Sequence, residues 1–119
     1  MRVAARKCTA LQPTGLKAAE FFAGIGLVRS ALQQVGIEVV FANDIEPAKA
    51  KLYAANHPDR DFRLCDIRAI RGSVVPDVDI ATASFPCTDL SLAGNRAGLS
   101  GGQSGMFWEF SRVINEMGR

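Results

Sequence analysis

The residues best suited to chemistry fall in four short segments of this 119-residue sequence. The first is the glycine turn Phe22-Ala23-Gly24-Ile25-Gly26, and the next two contain the carboxylates Asp44 and Asp66. The fourth contains Cys87. Glycines let a ligand approach the backbone closely, and Asp44 follows Gly24 by twenty residues, an offset at which a carboxylate can accept hydrogen bonds from ribose hydroxyls. The segments therefore predict a nucleoside site beside a thiol.

The charge around the glycine turn favours a neutral or cationic adenosine ligand. Asp44, Glu46 and Asp66 would repel a pyrophosphate, and Arg29 stands where a dinucleotide fingerprint has its third glycine. S-adenosylmethionine, whose sulfonium is positively charged, suits three carboxylates better. Two alternatives stay open: an ordinary strand-to-helix turn with helix-capping aspartates, and a nicotinamide-dependent dehydrogenase.

Cys87 is the candidate nucleophile. Pro86 biases Phe85 towards an extended conformation, so a strand is expected to end there and the chain to turn. Backbone N–H groups at a loop or helix start can stabilise a thiolate, and a thiolate facing a methyl donor suggests covalent catalysis. The alternative is a buried structural cysteine, which fits Cys65 in a predicted strand better.

A long glycine-rich segment follows Cys87 and contains Ser91 and Arg96. Its glycines are Gly94, Gly98, Gly101, Gly102 and Gly105. A loop of this length in a compact domain is usually functional or disordered. Beside a nucleophile it predicts a loop that closes over substrate and contacts a phosphate or base through Arg96. The alternative is a flexible linker.

The elements that must position these residues alternate along the chain. Strands are predicted at 16–22, 37–42, 62–65 and 78–84, and helices at 27–35, 47–56, 67–72 and 107–117. The fourth strand is rich in small residues and is expected to be central. Strands separated by helices form parallel pairs, and ligands bind at their carboxyl ends. The glycine turn, Asp44, Asp66 and Cys87 should therefore converge on one rim of an α/β sheet.

Composition narrows the class of protein. With 48% hydrophobic and 22% charged residues the chain can build one soluble domain, predicted at 16–119, after a basic extension at 1–15. No apolar run reaches the ~18 residues of a membrane span, and no secretory signal is evident, so a cytoplasmic protein is expected. Three cysteines without a CxxC pair and a single histidine predict neither a disulfide framework nor a metal site.

The four segments taken together resemble the first four motifs of the cytosine-C5 DNA methyltransferases. The matching stretches are Phe22-Ala23-Gly24-Ile25-Gly26, Asn43-Asp44-Ile45-Glu46, Asp66-Ile67 and Phe85-Pro86-Cys87-Thr88-Asp89-Leu90-Ser91. The resemblance runs from about Leu16 to the end of the sequence. It implies a Rossmann-like, S-adenosylmethionine-dependent methyltransferase fold with a mostly parallel sheet, incomplete at its C-terminal side.

The resemblance also implies a role for each matching residue. Cys87 would add to C6 of a cytosine flipped out of double-stranded DNA. Asp44 would hold the ribose of S-adenosylmethionine, Ile45 would pack on the adenine, and Asp66 would accept a hydrogen bond from the adenine amino group. The remaining cofactor residues would be Phe22, Ala23, Gly24, Ile25, Gly26, Ile67 and Pro86, and Ser91 with Arg96 would lie in the loop that closes on DNA.

Two departures from the family pattern limit what the chain can do alone. Thr88 replaces the glutamine more common after the catalytic cysteine, and the Glu-Asn-Val motif that would bind cytosine N3 is absent from the sequence. The sequence thus resembles the N-terminal third of an enzyme, expected to be inactive without a C-terminal fragment or second subunit. The alternatives are a non-catalytic S-adenosylmethionine-binding fragment, half of a split enzyme, or a tRNA cytosine-C5 methyltransferase. Restriction–modification is one biological setting that fits.

Overall fold

A computed structural model of the chain describes residues 12–57, 61–85 and 105–118. The strands are β1 (Lys17–Phe21), β2 (Glu38–Asp44), β3 (Phe62–Leu64) and β4 (Ile80–Ala83), and the helices are α1 (Leu27–Gln34), α2 (Pro47–Asn56) and α3 (Gly105–Glu116). Two 3₁₀ turns, Ile67–Ala69 and Gly72–Val74, connect β3 to β4. Across these three ranges, no helix has the length and apolar character needed to cross a membrane.

The strands form one four-stranded sheet in the order β3-β2-β1-β4. Every pairing in it is parallel. This confirms the predicted α/β fold with a parallel sheet, and it brings the carboxyl ends of the strands to one edge. The prediction that the fourth strand is central is wrong for the described sheet, because β4 pairs with β1 alone there and lies at an edge.

β2 is longer than the sequence pattern suggested. The pattern predicts an end at Ala42, but the strand continues through Asn43 and Asp44, which pair with Arg63 and Leu64 of β3. The polar pair therefore belongs to the strand rather than to a following turn. As a consequence Asp44 is buried, with 6% of its surface exposed.

The predicted helix at 67–72 is replaced by the two 3₁₀ turns. Asp66 caps the first of them by accepting a hydrogen bond from the N–H of Arg68, and Ile70 is extended (φ −86°, ψ 127°). Gly72 begins the second turn against the end of α3, where an added Cβ would lie 2.5 Å from Cβ of Glu116. The extended backbone at Ile70 separates the two turns, so the segment is not one helix.

The main core lies between the sheet and α3. Phe21 of β1 contacts Phe41 and Phe110, with ring centroids 5.5 and 5.4 Å apart. Val113 of α3 is fully buried in the same cluster. The opposite face of the sheet has a smaller cluster around Tyr53 of α2.

Candidate functional site

The chain turns sharply between β1 and α1. Phe22, Gly24 and Gly26 have φ angles of 55°, 58° and 88°, in the left-handed region. This conformation disfavours a residue with a Cβ, so Phe22 must be held in it by its surroundings. The φ angle favours glycine at position 26, where a Cβ would also lie 2.5 Å from Cδ2 of His57 and displace that ring.

Hydrogen bonds from β2 hold this turn in place. The N–H of Ala23 donates to the carbonyl of Asn43 at 2.8 Å, and the N–H of Gly24 donates to Oδ2 of Asp44 at 2.8 Å. The other oxygen of Asp44, Oδ1, accepts from the N–H of Glu46 at 3.0 Å. Asp44 therefore joins the glycine turn to the start of α2. Each carboxylate oxygen has two lone pairs, so both can still accept a bond from a ligand hydroxyl.

Asp66 presents a second carboxylate at the end of β3. Arg68 binds it as a fork, with Nη2 2.8 Å from Oδ2 and Nε 3.1 Å from Oδ1. These side-chain bonds, together with the N–H of Arg68, lower the pKa of Asp66. The carboxyl group is therefore ionised at neutral pH and acts as an acceptor, not as a proton donor.

A groove runs between the two carboxylates. One part, of about 260 Å³, contains Asp66. The adjoining part, of about 190 Å³, contains Asp44 and shares Phe22, Ile45 and Met106 with the first. The first part is also lined by Asn43, Cys65, Ile67 and Arg68, and the second by Glu46, Lys49 and Ser84. Apolar walls with acceptors at both ends suit a flat, amino-bearing ring joined to a hydroxylated sugar.

Ile45 is an exposed apolar residue that lines both parts of the groove. The residue is 57% exposed, whereas the neighbouring carboxylates are buried (Asp44) or half-buried (Asp66). Exposure of a large aliphatic residue at a groove is consistent with a ring stacking there. The predicted residues Phe22, Asp44, Ile45, Asp66 and Ile67 are thus brought together by the fold, whereas Ile25 lines a separate groove with Leu27 and His57.

Several groove residues were assigned no role in ligand binding from the sequence. Asn43 fixes the end of β3 because its Nδ2 donates to the carbonyls of Arg63 and Cys65, at 3.1 and 2.7 Å. Cys65 lies in the groove, where burial and the charge of Asp66 raise the pKa of its thiol. Met106 reaches the groove through the packing of α3. Only Arg68, two residues after a candidate acidic ligand, could have been found by spacing.

A buried polar cluster joins β1, α1 and β4, and no sequence pattern indicated it. Glu20 of β1 is 1% exposed, and both of its carboxylate oxygens lack a partner among the described residues. The same holds for Nε of Arg29 and Oγ1 of Thr82, which pairs in register with Glu20. Burial raises the pKa of Glu20 from 4.5 to about 7, against the opposing effect of Arg29. Nη1 of Arg29 donates to the Tyr53 hydroxyl at 2.7 Å.

Four predicted site residues lie outside the described ranges: Pro86, Cys87, Ser91 and Arg96. Their expected roles stay predictions. Ser84 and Phe85 mark where the described chain approaches this segment, and Phe85 contacts both Phe22 of the turn and Phe107 of α3, with centroids 6.1 and 5.9 Å apart. In the described ranges, no group of histidine, cysteine and carboxylate side chains could hold a metal ion.

The chain is similar in sequence to bacterial methyltransferases. It is 31% identical over 105 residues to the type II methyltransferase M.HhaI of Haemophilus parahaemolyticus, a match that covers 88% of this chain and 32% of that protein. It is 38% identical over 101 residues to the type II methyltransferase M.Bsp6I of Bacillus sp. (strain RFL6), covering 83% of this chain and 32% of the relative. The chain therefore spans about a third of the length of these relatives.

The fold has a counterpart among solved structures. The Dnmt2 methyltransferase of S. pombe superposes with a TM-score of 0.61 and 26% identity, over 80% of this chain and 30% of the other. The sequence profile described as C-5 cytosine-specific DNA methylase matches residues 16–118, nearly the whole chain. The parallel sheet, the glycine turn and the paired carboxylates at its rim agree with that match. The chain belongs to the C-5 cytosine-specific DNA methylase family.

Proposed function

We propose that the chain forms the S-adenosylmethionine-binding part of a DNA cytosine-C5 methyltransferase. The observation that carries this proposal is the groove between Asp44 and Asp66, with Ile45 and Phe22 as its apolar walls. The two acceptors occur at the ends of adjacent strands, one beside a glycine turn. Family membership makes a methyl donor the adenosine ligand to expect there.

Each end of the groove suits one part of this cofactor. Asp44 would accept hydrogen bonds from the ribose hydroxyls with the lone pairs that Gly24 and Glu46 leave free. Asp66, ionised through Arg68, would accept from the adenine amino group, with Ile45 and Ile67 beside the ring. Ala23, Gly24, Ile25, Gly26 and Pro86 complete the proposed cofactor residues.

The proposed reaction uses the thiolate of Cys87 and a cytosine flipped out of double-stranded DNA. S-adenosylmethionine supplies the methyl group as an electrophile. The Cys87 thiolate would form a bond to C6, and the electron pair displaced to C5 would take the methyl group from the sulfonium, so that the electrons of the broken sulfur–methyl bond leave with S-adenosylhomocysteine. Loss of the C5 proton to base and release of the thiolate then restore the ring. Ser91 and Arg96 are proposed to contact the DNA.

The proposal includes a partner for this chain. The sequence contains no Glu-Asn-Val motif to activate cytosine through N3. The edge strand β4 and α3 enclose a small apolar groove of about 160 Å³, lined by Val78, Ile80, Ala81, Ile114 and Met117 together with Asp79. Addition of another strand along β4 would cover this groove. We propose that a C-terminal fragment or second subunit supplies both that strand and the missing glutamate.

Titration calorimetry of the 119-residue chain tests the cofactor assignment. S-adenosylmethionine and S-adenosylhomocysteine should bind, and NAD should not. Asp66→Ala should weaken binding, whereas Asp79→Ala, at the opposite end of the sheet, should leave it unchanged. Binding of NAD in preference to the methyl donor would contradict the proposal and favour a dehydrogenase. Binding of the methyl donor without transfer in the presence of any complementing fragment would favour a non-catalytic module.

A further inference from the structure

Helix α3 is fastened to the segment that follows Asp66. The guanidinium of Arg112, in the middle of α3, donates from Nη2 to the carbonyl of Ile67 at 3.1 Å. It also donates from Nη1 to the carbonyl of Ile70 at 3.0 Å. These two carbonyls belong to the first 3₁₀ turn after β3 and to the residue that ends it. One side chain therefore fixes both ends of this turn.

The guanidinium is itself held by carboxylates of its own helix. Nε of Arg112 donates to Oε2 of Glu109 at 2.8 Å, and Nη1 donates to Oε2 of Glu116 at 2.6 Å. The second oxygen of Glu116 accepts from the N–H of Gly72 at 3.0 Å. Arg112 thus binds the carbonyls of Ile67 and Ile70, and Glu116 binds the N–H of Gly72. The lack of a Cβ at Gly72 lets α3 approach this closely.

The fastened segment is the one that lines the groove. Ile67 and Asp66 are adjacent in the chain, and both contribute to the cavity that also includes Met106 of α3. The side chain of Asp66 is bound by Arg68, and the side chain of Arg68 is 65% exposed to solvent. The backbone contacts of Arg112 therefore support this wall from the side of α3, in addition to the exposed ion pair between Arg68 and Asp66.

We propose that Arg112 is a positioning residue for recognition of the adenine ring. By holding the carbonyls of Ile67 and Ile70, it sets the direction in which Asp66 and the backbone beside it face the groove. Arg112 touches no ligand in this scheme and acts through the 67–70 turn. The inference rests on the proposed function, since it assigns the Asp66 end of the groove to adenine.

Lysine cannot replace arginine in this role. The two carbonyls are bound by the two terminal nitrogens of a planar, rigid fork, whereas an ammonium is a single point donor on a flexible stem. Arg112→Lys keeps the positive charge between Glu109 and Glu116 but should bind one carbonyl at a time. This substitution therefore separates the positioning of the turn from the charge balance of the helix.

The test compares two ligands that differ at one position of the ring. S-adenosylhomocysteine has an amino group at C6 of its purine, and the corresponding S-inosyl compound has an oxygen there. The unaltered chain should bind the amino compound at least about tenfold more tightly, since Asp66 would lose a donor and face an oxygen instead. Arg112→Lys should reduce this ratio to about twofold while changing the affinity for the S-inosyl compound little. Asn115→Ala, an exposed position on the same helix, is the matched control and should keep the full ratio.

The outcomes separate the inference from the proposed function. If the unaltered chain binds neither ligand, the cofactor assignment is wrong and the inference with it. If it binds both equally, or if Arg112→Lys keeps the tenfold ratio, the inference is wrong and cofactor binding stands. Circular dichroism checks folding of each variant. If Arg112→Lys does not fold, Glu116→Gln is used instead, because it weakens the support of Arg112 without removing the guanidinium. An unchanged ratio of the two affinities in that folded variant overturns the inference.

Discussion

Oδ2 of Asp44 accepts a hydrogen bond from the backbone N–H of Gly24 at 2.8 Å. The twenty-residue offset between these positions suggested a carboxylate for ribose hydroxyls, and the structure shows that the same carboxylate also holds the glycine turn. Asp44 can do both because two backbone N–H groups use only part of its acceptor capacity. If Asp44 binds the ribose as proposed, one side chain links the shape of the turn to the affinity for ligand.

Asp44→Ala should weaken binding of S-adenosylmethionine by about 1.5–3 kcal/mol, the range for hydrogen bonds to a charged group. The loss has two sources, because the ligand hydroxyls lose an acceptor and the turn loses its bond at Gly24. Stability should fall as well, by about 1 kcal/mol, since the part-buried N–H of Gly24 loses its partner. Calorimetry and urea unfolding measure the two effects.

Glu38→Ala is the control for this prediction. Glu38 is exposed at the opposite end of the same strand, so its removal should change neither quantity appreciably. If Asp44→Ala retains full affinity, Asp44 serves only to connect the turn to α2. If it retains full stability, the bond to Gly24 contributes nothing measurable.

The buried carboxyl of Glu20 should make the stability of the fold depend on pH. Its pKa is about 7 in the folded protein, above the ordinary 4.5, so the folded state binds the proton more tightly than the unfolded state. The stabilisation is fully present below pH 4.5 and is lost as the pH rises through 7. Since one pKa unit corresponds to 1.36 kcal/mol, the loss is about 3 kcal/mol.

Glu20→Gln provides the comparison, because an amide has the shape of the protonated carboxyl and does not titrate. Urea unfolding between pH 5 and pH 8 should show a steeper decline of the unfolding free energy in the unaltered chain than in Glu20→Gln. The lowered pKa of His57 has the opposite effect on stability but is common to both proteins, so it cancels in the difference. Parallel pH profiles would show that Glu20 is already compensated.

The parallel sheet and the convergence of its strand ends could be predicted from local patterns. Alternating strands and helices limit the topology to few choices, and a glycine turn with an acid after the next strand indicates where a ligand binds. The fold brings Asp44 and Asp66 to the same rim for this reason. The edge position of β4 could not be inferred from its small residues, because strand order depends on the packing of the whole sheet.

The residues that the sequence did not reveal depend on contacts distant in the chain. Glu20 follows two alanines in an apolar run and gives no sign that it is buried against Arg29 and Thr82. Arg112 looks like an exposed helix residue between two glutamates, and its contact with Ile67 joins positions 45 residues apart. Such roles follow from tertiary structure alone.

Cys87 and Cys65 should behave differently when substituted. With a complementing fragment present, Cys87→Ser should abolish methylation, because a serine hydroxyl is a far poorer nucleophile than a thiolate at neutral pH. Cys65→Ser should keep the chemistry, since the raised pKa of the Cys65 thiol leaves it protonated and its sulfur accepts a 3.7 Å contact from Asn43. Mass spectrometry after incubation with DNA containing 5-fluorocytosine should map the covalent adduct to Cys87. An adduct on Cys65 would reverse the assignment.

The 119-residue chain by itself should not methylate DNA. Cytosine C6 is a poor electrophile until N3 is protonated or hydrogen-bonded, and such acid assistance is commonly worth ~10²–10⁴-fold in rate. No residue of this sequence matches the glutamate that would provide it. Extrusion of the base costs a few kcal/mol, which further DNA contacts would have to offset.

Labelled S-adenosylmethionine and duplex DNA should therefore yield no labelled cytosine with this chain alone, but should yield it after addition of a C-terminal family fragment. Incorporation by the chain alone, lost in Cys87→Ser, would show that the activating group lies within these residues.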